Sequence, residues 1–184
     1  GRYEVGDLKQ TTPVVKRMNT DIGSQTWYTM YKKCKKLSGA NTNVKTSMIW
    51  GTQYDQMMNW LIKSGEKTPL DIYRGSVAWG NYLDNEFEYY TNTSKTTATK
   101  NLGGTTIIAS GAYEGAKANN IYDLAGNVWL WTLEVNGPGA GDHRYKRGGA
   151  YCNDGTSNCA DDRKRSFPND INSDVGFGSA LYIK

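Results

Sequence analysis

The sequence is poor in the residues that most often build metal and redox sites, with one histidine and three cysteines among 184 residues. Three cysteines are too few, and odd in number, for a disulfide framework, so they leave the redox compartment undecided. No stretch approaches the ~18 apolar residues of a membrane span, and no secretory signal opens the chain. Because the chain begins at Gly1 without Met, we expect a processed form or the C-terminal ligand-binding domain of a longer protein.

The composition is that of one folded domain, residues 1–184. Hydrophobic residues make up 38% and aromatic residues 12%, with 6 Trp and 13 Tyr against 3 Phe. Tyr and Trp combine an apolar ring with a polar group, which suits half-buried positions and binding surfaces. The net charge is +4, and much of the excess lies in four lysines between residues 32 and 36. No aromatic-basic motif accompanies them, so we interpret them as a solvated helix face and predict no nucleic-acid partner.

Two amphipathic helices are predicted in the first third of the chain. The first covers residues 24–37, with Ser24 as N-cap and an apolar stripe on one face: Trp27, Met30, Tyr31, Cys34 and Leu37. The second covers residues 53–64, with Thr52 as cap, Gly65 as terminator and a buried face: Tyr54, Met57, Met58, Leu61 and Ile62. From residue 71 to 110 loops dominate, with short strands predicted near residues 77–79, 87–90 and 105–108.

Three linked motifs in the last third carry a family resemblance. They read NNIYDLAGNVWLWTLE from Asn119, RYKRGGAY from Arg144 and VGFGSALYI from Val175. Their order and spacing resemble the formylglycine-generating-enzyme (sulfatase-modifying factor) subgroup of the C-type lectin fold. The resemblance implies an α+β fold with two amphipathic helices, small twisted antiparallel sheets and long loops. We expect Trp129 and Trp131 to alternate, with one in the core and one exposed, and residues 177–183 to form one closing strand.

The enzymes of this subgroup use a cysteine pair that binds copper, and Cys152 and Cys159 lie in the matching segment. The two cysteines are seven positions apart, further than in the enzymes, and His143 has no evident partner. We therefore predict no enzyme and no copper site. Members of the subgroup also hold calcium, for which Asp123 and the carbonyls of Gly126 and Val128 are weak candidates. Leu130 replaces the glutamate that usually completes that site, so calcium stays open and no other cofactor is predicted.

Another branch of the same fold is more similar, namely the variable proteins of diversity-generating retroelements, whose genes are rewritten at adenines. The shared pattern near the C-terminus comprises Arg147, Gly148, Gly149, Tyr151, Gly155, Ala160, Arg163, Pro168, Gly176, Phe177, Ala180, Leu181, Tyr182 and Ile183. The resemblance implies a variable region of about residues 128–184 and a ligand-binding surface. It also implies display on a phage tail or a bacterial cell surface, with a protein or surface receptor as partner. The apolar runs predict no membrane span in this chain, and the sequence leaves the oligomeric state undecided.

The polar stretch between Tyr151 and Val175 fits this resemblance. Rewriting an AAC codon yields Asn, Asp, Ser, Tyr, Gly, Cys, Leu, Phe, Arg and others, but neither Lys nor Trp. Most residues between the fixed positions belong to that set, with Lys164 an exception. We expect one exposed binding face with Phe167 and Tyr151 as hot spots. The candidate residues are Leu130, Tyr145, Tyr151, Cys152, Asn153, Asp154, Ser157, Asn158, Asp162, Lys164, Arg165, Ser166, Phe167, Asn172, Ser173 and Asp174. The first alternative is a lectin-like structural or carbohydrate-binding module without diversification, and the second, less favoured, is a copper oxidase of the formylglycine-generating type.

Overall fold

The structure is a computed structural model that describes residues 1–139 and 142–184. The described residues form three α-helices: α1 (Trp27–Cys34), α2 (Gly51–Lys63) and α3 (Pro69–Tyr73). They also form strands β1 (Val44–Met48), β2 (Phe87–Tyr90), β3 (Thr97–Lys100), β4 (Lys117–Ala118), β5 (Ile121–Tyr122), β6 (Trp129–Val135), β7 (Arg144–Arg147), β8 (Arg163–Ser166), β9 (Val175–Phe177) and β10 (Ser179–Ile183). The predicted α+β class is confirmed.

The first helix is shorter than predicted, although its buried stripe is confirmed. Its N-cap is Thr26, whose hydroxyl accepts the Thr29 N–H at 3.2 Å. Ser24 has φ of 61°, a left-handed conformation that lies outside the extended geometry of an N-cap. The prediction of Ser24 as cap is therefore wrong. The side chains of Trp27, Met30 and Cys34 are buried as predicted.

The second helix begins two residues earlier than predicted. The Trp50 N–H donates to Gln53 Oε1 at 2.9 Å, so Trp50 rather than Thr52 occupies the N-cap position. Gly65, with φ of 75°, follows the last turn as predicted, because this conformation costs glycine no steric clash. The face that carries Tyr54, Met58 and Leu61 is buried.

A four-stranded sheet in the order β8-β7-β6-β9 forms the centre of the molecule. Strand β9 runs parallel to β6, whereas the β6–β7 and β7–β8 pairs are antiparallel. Trp129 and Trp131 are both buried on the face toward α1. The prediction that one of them is exposed is wrong, because residues two apart on a strand share a face. Leu130 lies between them in sequence and faces the other core cluster, with Tyr54 and Leu61 of α2.

The closing segment is two strands rather than one. Strand β9 ends at Phe177, and after Gly178 the chain enters β10, which pairs antiparallel with β1. This change of partner pairs the C-terminal strand with β1, with Ser47 opposite Ala180.

The middle of the chain contains fewer strands than predicted. Strand β2 is confirmed and forms a hairpin with β3, but residues 76–79 form a 3-10 helix and residues 105–108 form no strand. Side-chain amides bind the backbone of residues 105–108: Asn81 donates to the Thr106 carbonyl at 2.9 Å, and Asn127 accepts the Ile108 N–H at 3.2 Å. These bonds satisfy the backbone groups without a neighbouring strand. None of the helices found in the described ranges has the length and apolar character to cross a membrane.

Candidate functional site

The polar segment that runs from β7 to β9 contains the edge strand β8 and two loops, one on each side of it. Strands β7 and β9, which precede and follow the segment, both pair with β6, so the ends of the segment are fixed in the central sheet. Strand β8 pairs residue by residue with β7, for example Tyr145 with Arg165 and Lys146 with Lys164. The segment therefore presents its side chains from the edge of the sheet.

The first loop, residues 148–160, is built over the ring of Tyr82. The buried Tyr82 hydroxyl donates to the Gly148 carbonyl at 2.7 Å. The next residue, Leu83, donates its N–H to the Asn153 carbonyl at 2.8 Å, and the Gly155 N–H donates to Asp84 Oδ1 at 3.0 Å. On the loop side, each of these bonds uses a main-chain atom, so they do not depend on which side chains the loop carries.

Two glycines permit this close approach. Gly149 has φ of 74°, and a Cβ there would lie 2.4 Å from the Asn158 carbonyl oxygen and 2.6 Å from the Tyr82 ring. A Cβ at Gly155 would also lie 2.6 Å from that ring. All three distances are below ordinary van der Waals contact, so a side chain at either position would displace the loop from Tyr82.

Three of the candidate residues shape the loop itself. Asp154 Oδ1 accepts the N–H groups of Thr156 and Ser157 at 2.6 and 2.9 Å, and these bonds hold the pKa of Asp154 below its ordinary value. Asn153 Oδ1 accepts the Ala150 N–H at 3.1 Å. Asn158 is only 8% exposed and donates to the Asp154 carbonyl at 3.1 Å. The prediction of Asn158 as an exposed contact residue is wrong, because its amide is used to close the loop.

On the sheet face toward α1, two lysines cover Trp129. The ammonium groups of Lys146 and Lys164 lie 5.1 and 5.4 Å from the centre of its ring. Lys146 also lies 4.0 Å from the Asp174 carboxylate. Burial lowers the pKa of Lys146, and the negative charge of Asp174 partly offsets that effect. Burial and Asp174 together raise the pKa of the neighbouring Cys152 thiol.

On the opposite face, Tyr145 and Arg163 form a second contact group. The Arg163 guanidinium lies 3.6 Å from the centre of the Tyr145 ring and forms an ion pair with Glu134. The Tyr145 hydroxyl donates to Asn136 Oδ1 at 3.1 Å. Arg165, which faces Tyr145 across the strands, is exposed. This face therefore combines a fixed aromatic ring with a solvent-exposed guanidinium.

Phe167 follows β8 and is 55% exposed, with its ring centre 4.0 Å from that of His143. Two carboxylates cover backbone donors along this edge strand: Asp162 accepts the Arg163 N–H at 2.8 Å, and Asp170 accepts the Phe167 N–H at 3.2 Å. Free edge donors are what an added strand would pair with. With the donors at its two ends covered, the edge favours recognition through side chains.

The structure brings most candidate residues to the surface around β8. Those that are exposed are Cys152, Asp154, Ser157, Lys164, Arg165, Phe167 and Ser173. Those that are half-buried are Tyr145, Tyr151, Asn153, Asp162, Ser166, Asn172 and Asp174. Leu130, at 4% exposure, belongs to the core beneath α2, so its assignment to the exposed face is wrong. We use the name displayed face for the surface around the edge strand β8, on both sides of the sheet, that carries Tyr145, Tyr151, Cys152, Ser157, Lys164, Arg165 and Phe167.

A polar cleft of about 420 Å³ borders the displayed face and includes residues that the sequence did not identify. Ser157 and Arg163 line one side of the cleft, and Tyr73 of α3 lines it from a distant part of the sequence. At its base, the Arg147 guanidinium donates to the Asp161 carbonyl at 2.7 Å and forms an ion pair with Asp55. No local signal could have identified Tyr73, because only the tertiary fold places α3 beside this loop.

The predicted calcium ligand Asp123 has hydrogen-bond partners within the fold. Asp123 is buried, and its Oδ2 accepts the Ser110 hydroxyl at 3.0 Å and the Gly111 N–H at 2.7 Å. Burial raises the pKa of Asp123 to about 6. The other carboxylate oxygen of Asp123, Oδ1, has no hydrogen-bond partner. The Leu130 side chain supplies no oxygen. This donor set does not fit a calcium ion, which takes 6–8 oxygens. Across the described ranges, no cluster of three or more His, Cys, Asp or Glu could hold a metal.

The two cysteines of the segment lie in different environments. Cys152 is exposed beside Asp174 and Lys146, whereas Cys159 is buried and donates its thiol to the Thr156 carbonyl at 3.0 Å. Both are free thiols. The arrangement does not present them as a paired site for a soft metal.

Comparison with known proteins supports the fold. The family model described as "Sulfatase-modifying factor enzyme 1-like domain" matches residues 65–181, more than half of the chain. Among solved structures, variable protein 1 of Treponema denticola aligns with a TM-score of 0.57 and 16% identity, over 96% of this chain and 76% of that one. The crystal structure of CarF aligns with a TM-score of 0.48 and 12% identity, over 88% of this chain and 67% of that one. The search of curated proteins gave no significant match.

Proposed function

Because the chain belongs to the family of sulfatase-modifying factor enzyme 1-like domains, we propose that it is a member that binds ligands rather than an enzyme. In this proposal it is a variable protein of a diversity-generating retroelement, and the displayed face is the surface that the retroelement rewrites. The predicted fold, a C-type lectin fold of the formylglycine-generating-enzyme subgroup, is confirmed. The function rests on the geometry of the displayed face.

One observation carries the proposal: the loop over Tyr82 is fastened through its own main-chain atoms. The carbonyls of Gly148 and Asn153 and the N–H of Gly155 make the connecting bonds. The exposed side chains of Cys152 and Ser157 take no part in these bonds. A surface built in this way can change its side chains at small cost in stability, which a diversified binding site requires.

The displayed face also has the chemistry of a general binding surface. It presents Phe167 and the two tyrosines as stiff aromatic groups, and Lys164, Arg165 and Ser157 as polar contacts. Aromatic anchors beside adaptable polar groups are the composition of antibody paratopes. We infer that the partner is a protein or other surface receptor, bound by side chains, and that the parent protein is displayed on a phage tail or a bacterial cell surface.

An oxidase function has weaker support, although the family is described after an enzyme. Copper-dependent chemistry of the predicted type needs two thiolates at one ion. Here Cys152 lies beside Asp174 and Lys146, while Cys159 lies beside Ser76 and Asp161. The separate environments of the two thiols favour the binding function.

A display library tests the proposal without a known ligand. Cys152, Ser157, Lys164, Arg165 and Phe167 are randomised together in one library, and the loop-shaping residues Asn153, Asp154 and Asn158 in a matched one. We expect most members of the first library to fold and selection against unrelated proteins to yield binders, whereas most members of the second fail to fold. If both libraries fold equally well or equally badly, or the first yields no binder, the displayed face is not a variable binding surface.

A further inference from the structure

A second groove lies apart from the displayed face, between α1, the β1–β10 pair and the start of α2. It has a volume of about 470 Å³. Three aromatic side chains, Tyr31, Trp50 and Tyr182, stand at its walls together with Lys35 and Lys45. None of these residues belongs to the displayed face or to the other predicted variable positions.

Two of the aromatic walls, Tyr31 and Tyr182, are held by contacts of their own side chains. The Gln53 side chain caps α2 by accepting the main-chain N–H of Trp50 at 2.9 Å, and its Nε2 donates to the Tyr182 hydroxyl at 2.9 Å. Across the groove, Tyr31 stacks on Trp27 with ring centres 5.1 Å apart and planes at 9°. The Trp27 indole is fixed in turn by its N–H bond to the Thr132 carbonyl at 2.8 Å. The two tyrosine walls are therefore in place before any ligand binds, which lowers the cost of binding.

The charge of the groove is positive and uncompensated. The Lys35 ammonium lies 4.1 Å from the centre of the Tyr31 ring, and Lys45 stands directly opposite Tyr182 in the β1–β10 register. Within the described ranges neither lysine forms an ion pair, and no carboxylate lines the groove. The Trp50 side chain is 52% exposed, which leaves a large apolar surface in contact with water.

We propose that this groove binds a six-membered ring compound that carries one carboxylate. The flat faces of Trp50 and Tyr182 accept a ring by stacking, and the two ammonium groups bind the carboxylate through charge-assisted hydrogen bonds. An acidic sugar and an aromatic acid share this chemistry. The site is independent of the displayed face, and it stands whether or not that face is variable.

Nuclear magnetic resonance titration of the whole chain tests the site. D-glucuronate and benzoate are added at constant pH and ionic strength, with D-glucose and benzamide as their neutral counterparts, while the Trp50 indole N–H is observed. We expect saturable shifts with at least one of the acids, with a dissociation constant on the order of 1 mM. Binding of glucuronate alone would identify the ligand class as an acidic sugar, and binding of benzoate alone would identify it as an aromatic acid. Either result supports the site.

Two double variants distinguish the site from general attraction of anions. Lys35→Met with Lys45→Met keeps the apolar stems and should weaken binding at least tenfold. Lys32→Met with Lys36→Met removes the same charge from neighbouring exposed positions and should leave binding unchanged. The proposal is overturned if neither acid gives a saturable shift, if the neutral compounds bind equally well, or if the two double variants weaken binding equally.

Discussion

The hydroxyl of Tyr82 donates a 2.7 Å hydrogen bond to the carbonyl of Gly148, which joins the middle of the chain to the first residue of the polar loop. The same carbonyl accepts the Gly126 N–H at 2.7 Å. Gly148 thus links Tyr82 to the tight turn before β6. This contact lets the loop keep its position while the side chains beyond it differ.

Replacing Tyr82 by Phe should lower the free energy of unfolding by about 1 kcal/mol, the usual net value of one buried hydrogen bond. The loss of stability stays modest because the Gly148 carbonyl still accepts the Gly126 N–H. Urea unfolding measures the change, and Tyr73→Phe, at an exposed tyrosine, should have no effect. An equal loss in both variants would show that the Tyr82 hydroxyl does not stabilise the loop.

Gly149→Ala should destabilise the chain by about 3 kcal/mol, because it combines a left-handed backbone with a clash. Gly65→Ala is a matched control: its φ is 75° against 74° at Gly149, but a Cβ there meets nothing within 4 Å. The control should cost only about 1 kcal/mol. Thermal unfolding of both variants gives the comparison, and equal losses would mean that the loop does not pack on Tyr82 as described.

The pH dependence of stability should report Asp123. Burial raises its pKa from 3.8 to about 6, so the folded state holds this proton more tightly than the unfolded state does. Below pH ~4 both states are protonated and the contribution is complete. It is lost as the pH rises through about 6, by roughly 3 kcal/mol for a shift of about two pKa units. Burial also raises the pKa of Glu4 well above its ordinary value, so this residue contributes a fall of the same sign.

Asp123→Asn should remove the part of this fall between pH 4 and 6, as measured by urea unfolding across that range. The exposed Glu88→Gln serves as the control and should leave the profile as it is. If the Asp123→Asn profile matched that of the unmodified chain, Asp123 would not retain its proton on folding.

The helices could be predicted from the sequence because their apolar residues recur at helical spacing, as with Trp27, Met30 and Cys34. Long-range contacts decided the features that the sequence could not predict. Residues 105–108 look like a strand, but the amides of Asn81 and Asn127 bind their backbone instead. The resemblance assigned Leu130 to the variable face, yet it occupies the middle strand of the sheet and is buried beneath α2.

Thiol labelling should distinguish the three cysteines. Cys152 is exposed, whereas Cys34 and Cys159 are buried, and burial raises the pKa of Cys34 to about 12. An aromatic disulfide reagent should label one thiol in the native chain and three after unfolding. Cys152→Ser should abolish the native reaction and leave stability unchanged. Native reaction at Cys159 as well would indicate that the loop opens and that the two thiols can act together.

The gene itself tests the central claim, that the displayed face is rewritten by a retroelement. The measurement is the DNA sequence of the gene and its flanks, searched for a second copy of its 3′ end beside a reverse transcriptase. The account predicts a copy whose mismatches fall at adenines, in codons for Cys152, Ser157, Arg165 and Phe167 and not for Gly148, Gly149 or Gly155. Absence of such a copy, or mismatches in the glycine codons, would contradict it.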